Sequence, residues 1–299
     1  MRALLLLCTG CNALLGVHGF DAGGTTDDMR LGDSPDAKPA CDLNAPFSAP
    51  VAVAELNTAY YDSVTDISDD ELTLYMASDR DRPGMGSELF YTTRASKTDP
   101  WRVPLTRFYA AKPAWDDYSV AISPDGMAGI VSSNRSGMEH LWLIMWSSSG
   151  FVDNSTMVPN VNSAGLSTDA TPRYSRDGAT LYFDSSRSGS RDLYYAAILP
   201  GSFGAPQRIS ELSSPSEIEA APTLTADGRT IYYLVKDNIY TATRPDKTGL
   251  FGAGAPASAL NTSAFEGPGV VTSDGCTIYI TRDAAQQLMN VFVAKRPPL

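Results

Sequence analysis

Tyr174-Ser175-Arg176-Asp177-Gly178-Ala179-Thr180-Leu181-Tyr182-Phe183 reads as a β-hairpin, with β-rich residues on either side of an Asp-Gly pair, a dipeptide that readily reverses a chain. The phrase returns at Leu224-Thr225-Ala226-Asp227-Gly228-Arg229-Thr230-Ile231-Tyr232-Tyr233. Allowing equivalents of Asp-Gly, it occurs five times, each time followed by a loop with a basic residue and a third β-rich run. A unit repeating about every 50 residues cannot bury its apolar face alone and must stack on neighbours, so the architecture follows from the unit. The unit is a blade of antiparallel strands.

β-branched and aromatic enrichment between turn residues predicts the strands. The first blade takes 63–68, 72–78 and 88–94, the second 118–123, 128–133 and 140–146, the third 170–175, 180–185 and 192–198. The fourth takes 220–225, 230–235 and 238–244, and the fifth 268–273, 277–282 and 290–295, where a fourth strand is missing. The missing strand has a counterpart at the other end. Phe47-Ser48-Ala49-Pro50-Val51-Ala52-Val53-Ala54-Glu55-Leu56 matches Phe203-Gly204-Ala205-Pro206-Gln207-Arg208-Ile209-Ser210-Glu211-Leu212, the outer strand of blade three. The expected fold is therefore all-β: a five-bladed β-propeller of four-stranded antiparallel blades, closed by the N-terminal strand completing the last blade. Six blades is the alternative. Closure removes the exposed edges of an open array.

The chain has 299 residues, is 43% hydrophobic and carries a net charge of -11, which suits one large all-β domain. With no basic run, it is not expected to bind nucleic acid or an anionic membrane surface. Met1-Arg2 followed by the apolar Ala3 to Cys8 and then Thr9-Gly10-Cys11 resembles the lipobox of bacterial lipoproteins, in which the Cys becomes the lipidated first residue. Cys8 departs from that pattern, and cleavage near Gly19-Phe20 is the competing reading. The expected organisation is a signal over 1–11, a flexible acidic tether over 12–46 and the propeller over 47–299. The protein is expected to be exported and lipid-anchored in the envelope, its membrane contact being the lipid alone; periplasmic or secreted soluble is the alternative. Outside the signal the cysteines are Cys41 and Cys276, an even pair in a disulfide-permissive compartment. In a closed ring both sit on one face, where a bridge would fasten the closing strand; the alternative leaves Cys41 free in the tether.

The phrases Ile122-Ser123-Pro124-Asp125-Gly126, Leu74-Tyr75-Met76-Ala77-Ser78-Asp79-Arg80 and Asp192-Leu193-Tyr194-Tyr195-Ala196 resemble the repeat of TolB-type, WD-like β-propellers. The resemblance covers essentially 47–298. It implies the fold and leaves function open, since such propellers occur in translocation proteins, peptidase accessory domains and lipoproteins.

An acidic residue precedes each inner strand: Asp62, Asp117, Asp169, Glu219 and Glu266. The ring is expected to gather them at the mouth of its channel, where they would suit a cation, an amine or a basic peptide end. A basic residue follows each at a near-constant distance: Arg80, Arg135, Arg187, Lys236 and Arg282. Across an Asp-Gly hairpin that spacing predicts one ion pair per blade, which leaves little free charge for a ligand.

Histidine occurs only as His18 and His140, which excludes a histidine-rich zinc site, and no Gly-x-Ser-x-Gly elbow is present. No metal or other cofactor is expected. The surviving enzyme reading is a glycoside hydrolase of the five-bladed arabinanase type using Asp62, Asp117 and Glu219 at the channel mouth; these look like copies, whereas catalysis needs carboxylates in unlike environments. A lectin reading draws on Trp101, Trp115, Trp142 and Trp146, of which Trp115 is expected at the mouth and Trp142 and Trp146 in a strand packed on both faces. The loop 79–87 reads as a turn, with no feature of a phosphate loop. The sequence thus predicts a non-catalytic binding or scaffolding propeller of the bacterial cell envelope, recognising a protein or glycan through loops at the channel mouth.

Overall fold

A computed structural model of the chain describes residues 40–84, 86–109, 115–147, 150–283 and 288–299, and its strands form five antiparallel sheets. Blade one is built from Asp62–Ile67, Thr73–Ser78, Glu88–Thr93 and Thr106–Arg107, and blade two from Asp117–Ile122, Ala128–Ser133, His140–Ser147 and Gly150–Met157. Blade three comprises Asp169–Tyr174, Thr180–Ser185 and Asp192–Leu199, with its outer edge shared by Ser202–Phe203 and Gln207–Arg208. Blade four comprises Glu219–Leu224, Thr230–Val235, Asn238–Thr243 and Ala255–Pro256. Blade five takes Glu266–Val271, Thr277–Asp283 and Met289–Lys295, and its fourth strand is Val51–Ala52, with Val51 opposite Val293 and Ala52 opposite Phe292. The ring is a five-bladed propeller closed by the segment around Val51–Ala52, with no sixth blade among the described residues. Cys41 is joined to Cys276 in the first turn of blade five, as the closure predicts. The signal, Cys11 and most of the tether lie outside the described residues.

Turn chemistry sets the hairpins. Asp177 Oδ1 accepts from Ser175 Oγ at 2.7 Å and Ala179 N at 3.1 Å, while Gly178 takes the left-handed φ of +67°. The same side-chain bond recurs from Ser123 to Asp125, Thr225 to Asp227 and Thr272 to Asp274. In blade one Glu71 stands at φ +59° and is held by Lys97 at 3.0 Å and Arg94 at 3.6 Å.

Burial is organised by blade interfaces. Five apolar clusters are each shared by two neighbouring blades, for example Ile130, Leu143, Phe183 and Tyr194 between blades two and three. The cluster between blades five and one contains Val53 and Leu56, so the closing segment is buried by the residues that follow its short strand. Trp142 is buried, whereas Trp146 at the end of the same strand is exposed, correcting the expectation that both faces there are packed.

All five inner strands carry a bulge. In blades three and four it places Thr171 at φ +43° and Ala221 at φ +50°. A bulge re-aims the side chains beyond it, and beyond Thr171 that side chain is Arg173.

Candidate functional site

The five leading acids are all buried. Asp62 accepts from Thr58 N at 2.6 Å, Ser78 Oγ at 2.7 Å and Arg80 Nη2 at 2.5 Å, and the same Arg80 nitrogen reaches Leu56 O at 2.9 Å. Asp169 repeats the pattern with Ser163 N at 2.6 Å and Arg187 Nη2 at 2.5 Å, Arg187 also reaching Val161 O. Glu266 pairs with Arg282 Nε at 2.9 Å, and Asp117 with Arg135 Nη2 at 3.1 Å. In blades one, three and five the arginine also reaches a carbonyl of the incoming connection, in blade five Leu260 O at 3.0 Å, and so ties that connection to the inner strand.

Blade four breaks the series. Glu219 accepts from Ser214 N at 3.2 Å and forms no ion pair with Lys236. The reason is local: Val235 and Asn238 face each other, so Lys236 lies in a two-residue turn at φ +59°, directly after the strand. Arg80, by contrast, lies two residues past the strand's last residue, Ser78. Burial, with the nearby Asp192 charge adding to it, pushes the Glu219 carboxyl up from 4.5 to about 7. Asp192 itself is held below the usual carboxylate range by bonds from Ser188 and Arg208, against its own burial.

None of the five acids lines the central cavity, which corrects the expectation of a carboxylate ring around its mouth. Trp115 does not line it either; the Arg135 guanidinium lies 5.5 Å from the centre of its ring. His140 is buried with Nδ1 2.8 Å from Ser136 Oγ, a structural role.

The cavity encloses about 300 Å³ and draws its walls from the inner strands of all five blades. Near the starts of those strands it is lined by Tyr61, Ser63, Tyr118, Ser119, Glu139, Arg191 and Phe265. Deeper along them Arg173 crosses the axis. Its Nη1 meets Asp66 Oδ1 at 2.5 Å, and its Nη2 donates to Thr65 O at 2.6 Å and Gly269 O at 2.8 Å, so blade three is tied to blades one and five. Gly269 is required there, because a Cβ would stand 2.9 Å from both Val64 O and Tyr279 O. The channel is thereby a cup with an ionic floor.

On its wall Arg191 Nε binds Asp184 and Arg191 Nη2 lies 3.5 Å from Glu139 Oε2. Asp184 also accepts from Thr171 Oγ1 and, at 3.1 Å, from Ala221 N, which anchors both left-handed bulges. Burial pushes the Asp66 and Glu139 carboxyls up, opposed by Arg173 and Arg191 respectively. Among the described residues Glu139 is the one carboxylate that lines the cup. Its charged groups are thus built from residues outside the repeat's acid and base positions.

No family model matches the chain, and no curated protein matches it. Solved structures do. The endo-arabinase of Bacteroides thetaiotaomicron VPI-5482 aligns with a TM-score of 0.53 at 13% identity, over 85% of this chain and 97% of that one. TolB of Acinetobacter baumannii gives 0.45 at 16% identity over 85% of this chain and 55% of that one, so the chain spans little more than half of that protein. A putative TolB of Agrobacterium tumefaciens gives 0.44 at 16%, over 84% and 99%. What they share is the propeller. At these identities an enzyme and TolB stand side by side, and the likeness does not carry an activity.

Proposed function

We propose that the protein is a non-catalytic binding module of the bacterial cell envelope that takes the end of a partner molecule into its cup. The observation that carries this reading is the composition of the cup. Glycoside hydrolysis needs two carboxyl groups about 5–9.5 Å apart on either side of the bond. Glu139 is the only carboxylate among the described residues that line the cup; Asp66 in its floor and Asp184 against its wall are each engaged by an arginine, and Asp62, Asp117 and Glu219 are buried outside it. The Arg173–Asp66 floor suits a ligand end and would obstruct a chain threaded through the ring. Export and acylation on Cys11 belong to the same proposal and rest on the lipobox resemblance; mass spectrometry of the mature N-terminus checks them.

The binding reading is tested by passing solubilised envelope over immobilised wild-type protein and over Ser119→Trp, which fills the cup. A component retained by the first and lost from the second is expected, with no hydrolysis of envelope glycans. Glycan turnover that disappears in Glu139→Gln would overturn the reading.

A further inference from the structure

The cup holds two hydroxyl groups that no described residue uses. Thr65 Oγ1 and Ser119 Oγ are buried and have no hydrogen-bond partner among the described residues, their residues being 6% and 8% exposed, and both line the cavity. A buried hydroxyl without a partner costs stability, and each can donate one hydrogen bond and accept others. The cup's charged groups are mostly paired within the protein, Arg173 Nη1 with Asp66 and Arg191 with Asp184 and Glu139, while the buried Arg173 Nε has no partner among the described residues. An anion at Arg173 Nε would sit beside the Asp66 carboxylate already bound to the same guanidinium. A charged group elsewhere in the cup would have to break one of these pairs, and an apolar ligand would leave the hydrogen bonds of both hydroxyls unmade. At the rim Tyr61 and Tyr118 stay 37% and 38% exposed, the Tyr118 hydroxyl being 3.2 Å from Asp116 Oδ2 and 3.1 Å from Asn134 Nδ2, which fixes the ring as a wall. A volume of about 300 Å³ is at the small end of ligand cavities and holds one ring, not a run of them.

We propose that the cup receives a single uncharged sugar ring, the end of a glycan, with Thr65 and Ser119 bonding its hydroxyls and Tyr61 and Tyr118 flanking its apolar edge. This rests on the binding reading above and names its ligand class. The stability cost of the two orphan hydroxyls is then the structural trace of a ligand they are kept for.

The test titrates the full-length protein with methyl glycosides of glucose, galactose, mannose, arabinose and N-acetylglucosamine, followed by calorimetry and saturation-transfer NMR. At least one is expected to bind with a dissociation constant of order millimolar, the range open to so small a ligand. Thr65→Val and Ser119→Ala should each weaken that sugar roughly five- to tenfold, the worth of one hydrogen bond, while leaving the melting temperature of the free protein unchanged or higher. Binding undiminished in both variants overturns the proposal, as does a lower melting temperature in both without any effect on sugar, which assigns the hydroxyls to buried water. If no sugar binds while an envelope component is still retained by wild type and lost from Ser119→Trp, the sugar assignment alone falls. If neither binds, the binding reading falls with it.

Discussion

Arg173 and Asp66 are the only charged residues within the inner strands beyond the leading acids, and they meet across the channel at 2.5 Å with both side chains largely buried. Removing one member of such a pair leaves the other desolvated without compensation, which costs more than the pair contributes. Arg173→Met should therefore lose about 3–5 kcal/mol in denaturant unfolding, and the double variant with Asp66→Leu should recover most of it. The single variant's deficit should also shrink on acidification, since the abandoned carboxyl is relieved by taking a proton. Glu219 makes a second prediction with a defined window. Its folded-state value of about 7 lies above the ordinary 4.5, so the folded protein binds the proton more tightly than the unfolded chain does. Its stabilising contribution is complete below about pH 4.5 and is lost as pH rises through about 7. Glu219→Gln should flatten that decline, matching wild type near pH 5 and exceeding it at pH 8, as read from melting temperatures across the range. Equal pH profiles for the two proteins would show that Glu219 is not the group held protonated.

The closing strand is the element on which the architecture turns, yet its two residues, Val51 and Ala52, are exposed. The segment is held by what flanks it: the fully buried Leu56, and Asn57, whose side chain donates to Val291 O at 3.0 Å and accepts from Val291 N at 2.7 Å. Leu56→Ala should cost about 2–5 kcal/mol, within the range of large-to-small core substitutions, whereas Val51→Ala should stay within about 0.5 kcal/mol. Hydrogen exchange should show protection lost first at Val291 and Val293 in the former. The match of 47–56 to 203–212 made this strand legible, because a repeat copies its burial pattern along with its letters. The ion pairs were legible for the same reason in four blades and failed in the fourth, where shortening the loop to two residues moved Lys236 off the required position. The cup was the illegible part. Arg173, Asp66, Glu139, Arg191 and Asp184 break the repeat instead of following it, and a reading guided by periodicity passes over single departures. The available signal was two opposite charges inside inner strands that are not neighbours, which only a closed ring brings together.

At the scale of the molecule, both ends of the described chain share one blade. Cys41 bridges Pro298, the Cys41–Cys276 bond spans 235 residues, and Val51–Ala52 completes the sheet begun at Glu266. Each of the five blade interfaces is packed from side chains, so pulling any two blades apart in the closed ring must also strain this covalent and hydrogen-bonded seam. That linkage is what makes five weakly autonomous units behave as one. A circular permutant isolates the effect. Linking Pro298 to Cys41 and opening the chain at Gly165, between the outer strand of blade two and the inner strand of blade three, keeps every blade whole but leaves the second-to-third interface joined by packing alone. The side chains there, Ile130, Leu143, Phe183 and Tyr194, are unchanged, so any loss belongs to closure. The permutant should fold with a melting temperature lower by roughly 5–10 °C, as expected for a loss of about 2–3 kcal/mol in a domain of this size. Its calorimetric enthalpy should exceed the van't Hoff value as the blades bordering the new opening unfold ahead of the rest. A permutant that melts as wild type does, in a single two-state transition, would locate the cooperativity in the interfaces themselves and remove the seam from its role.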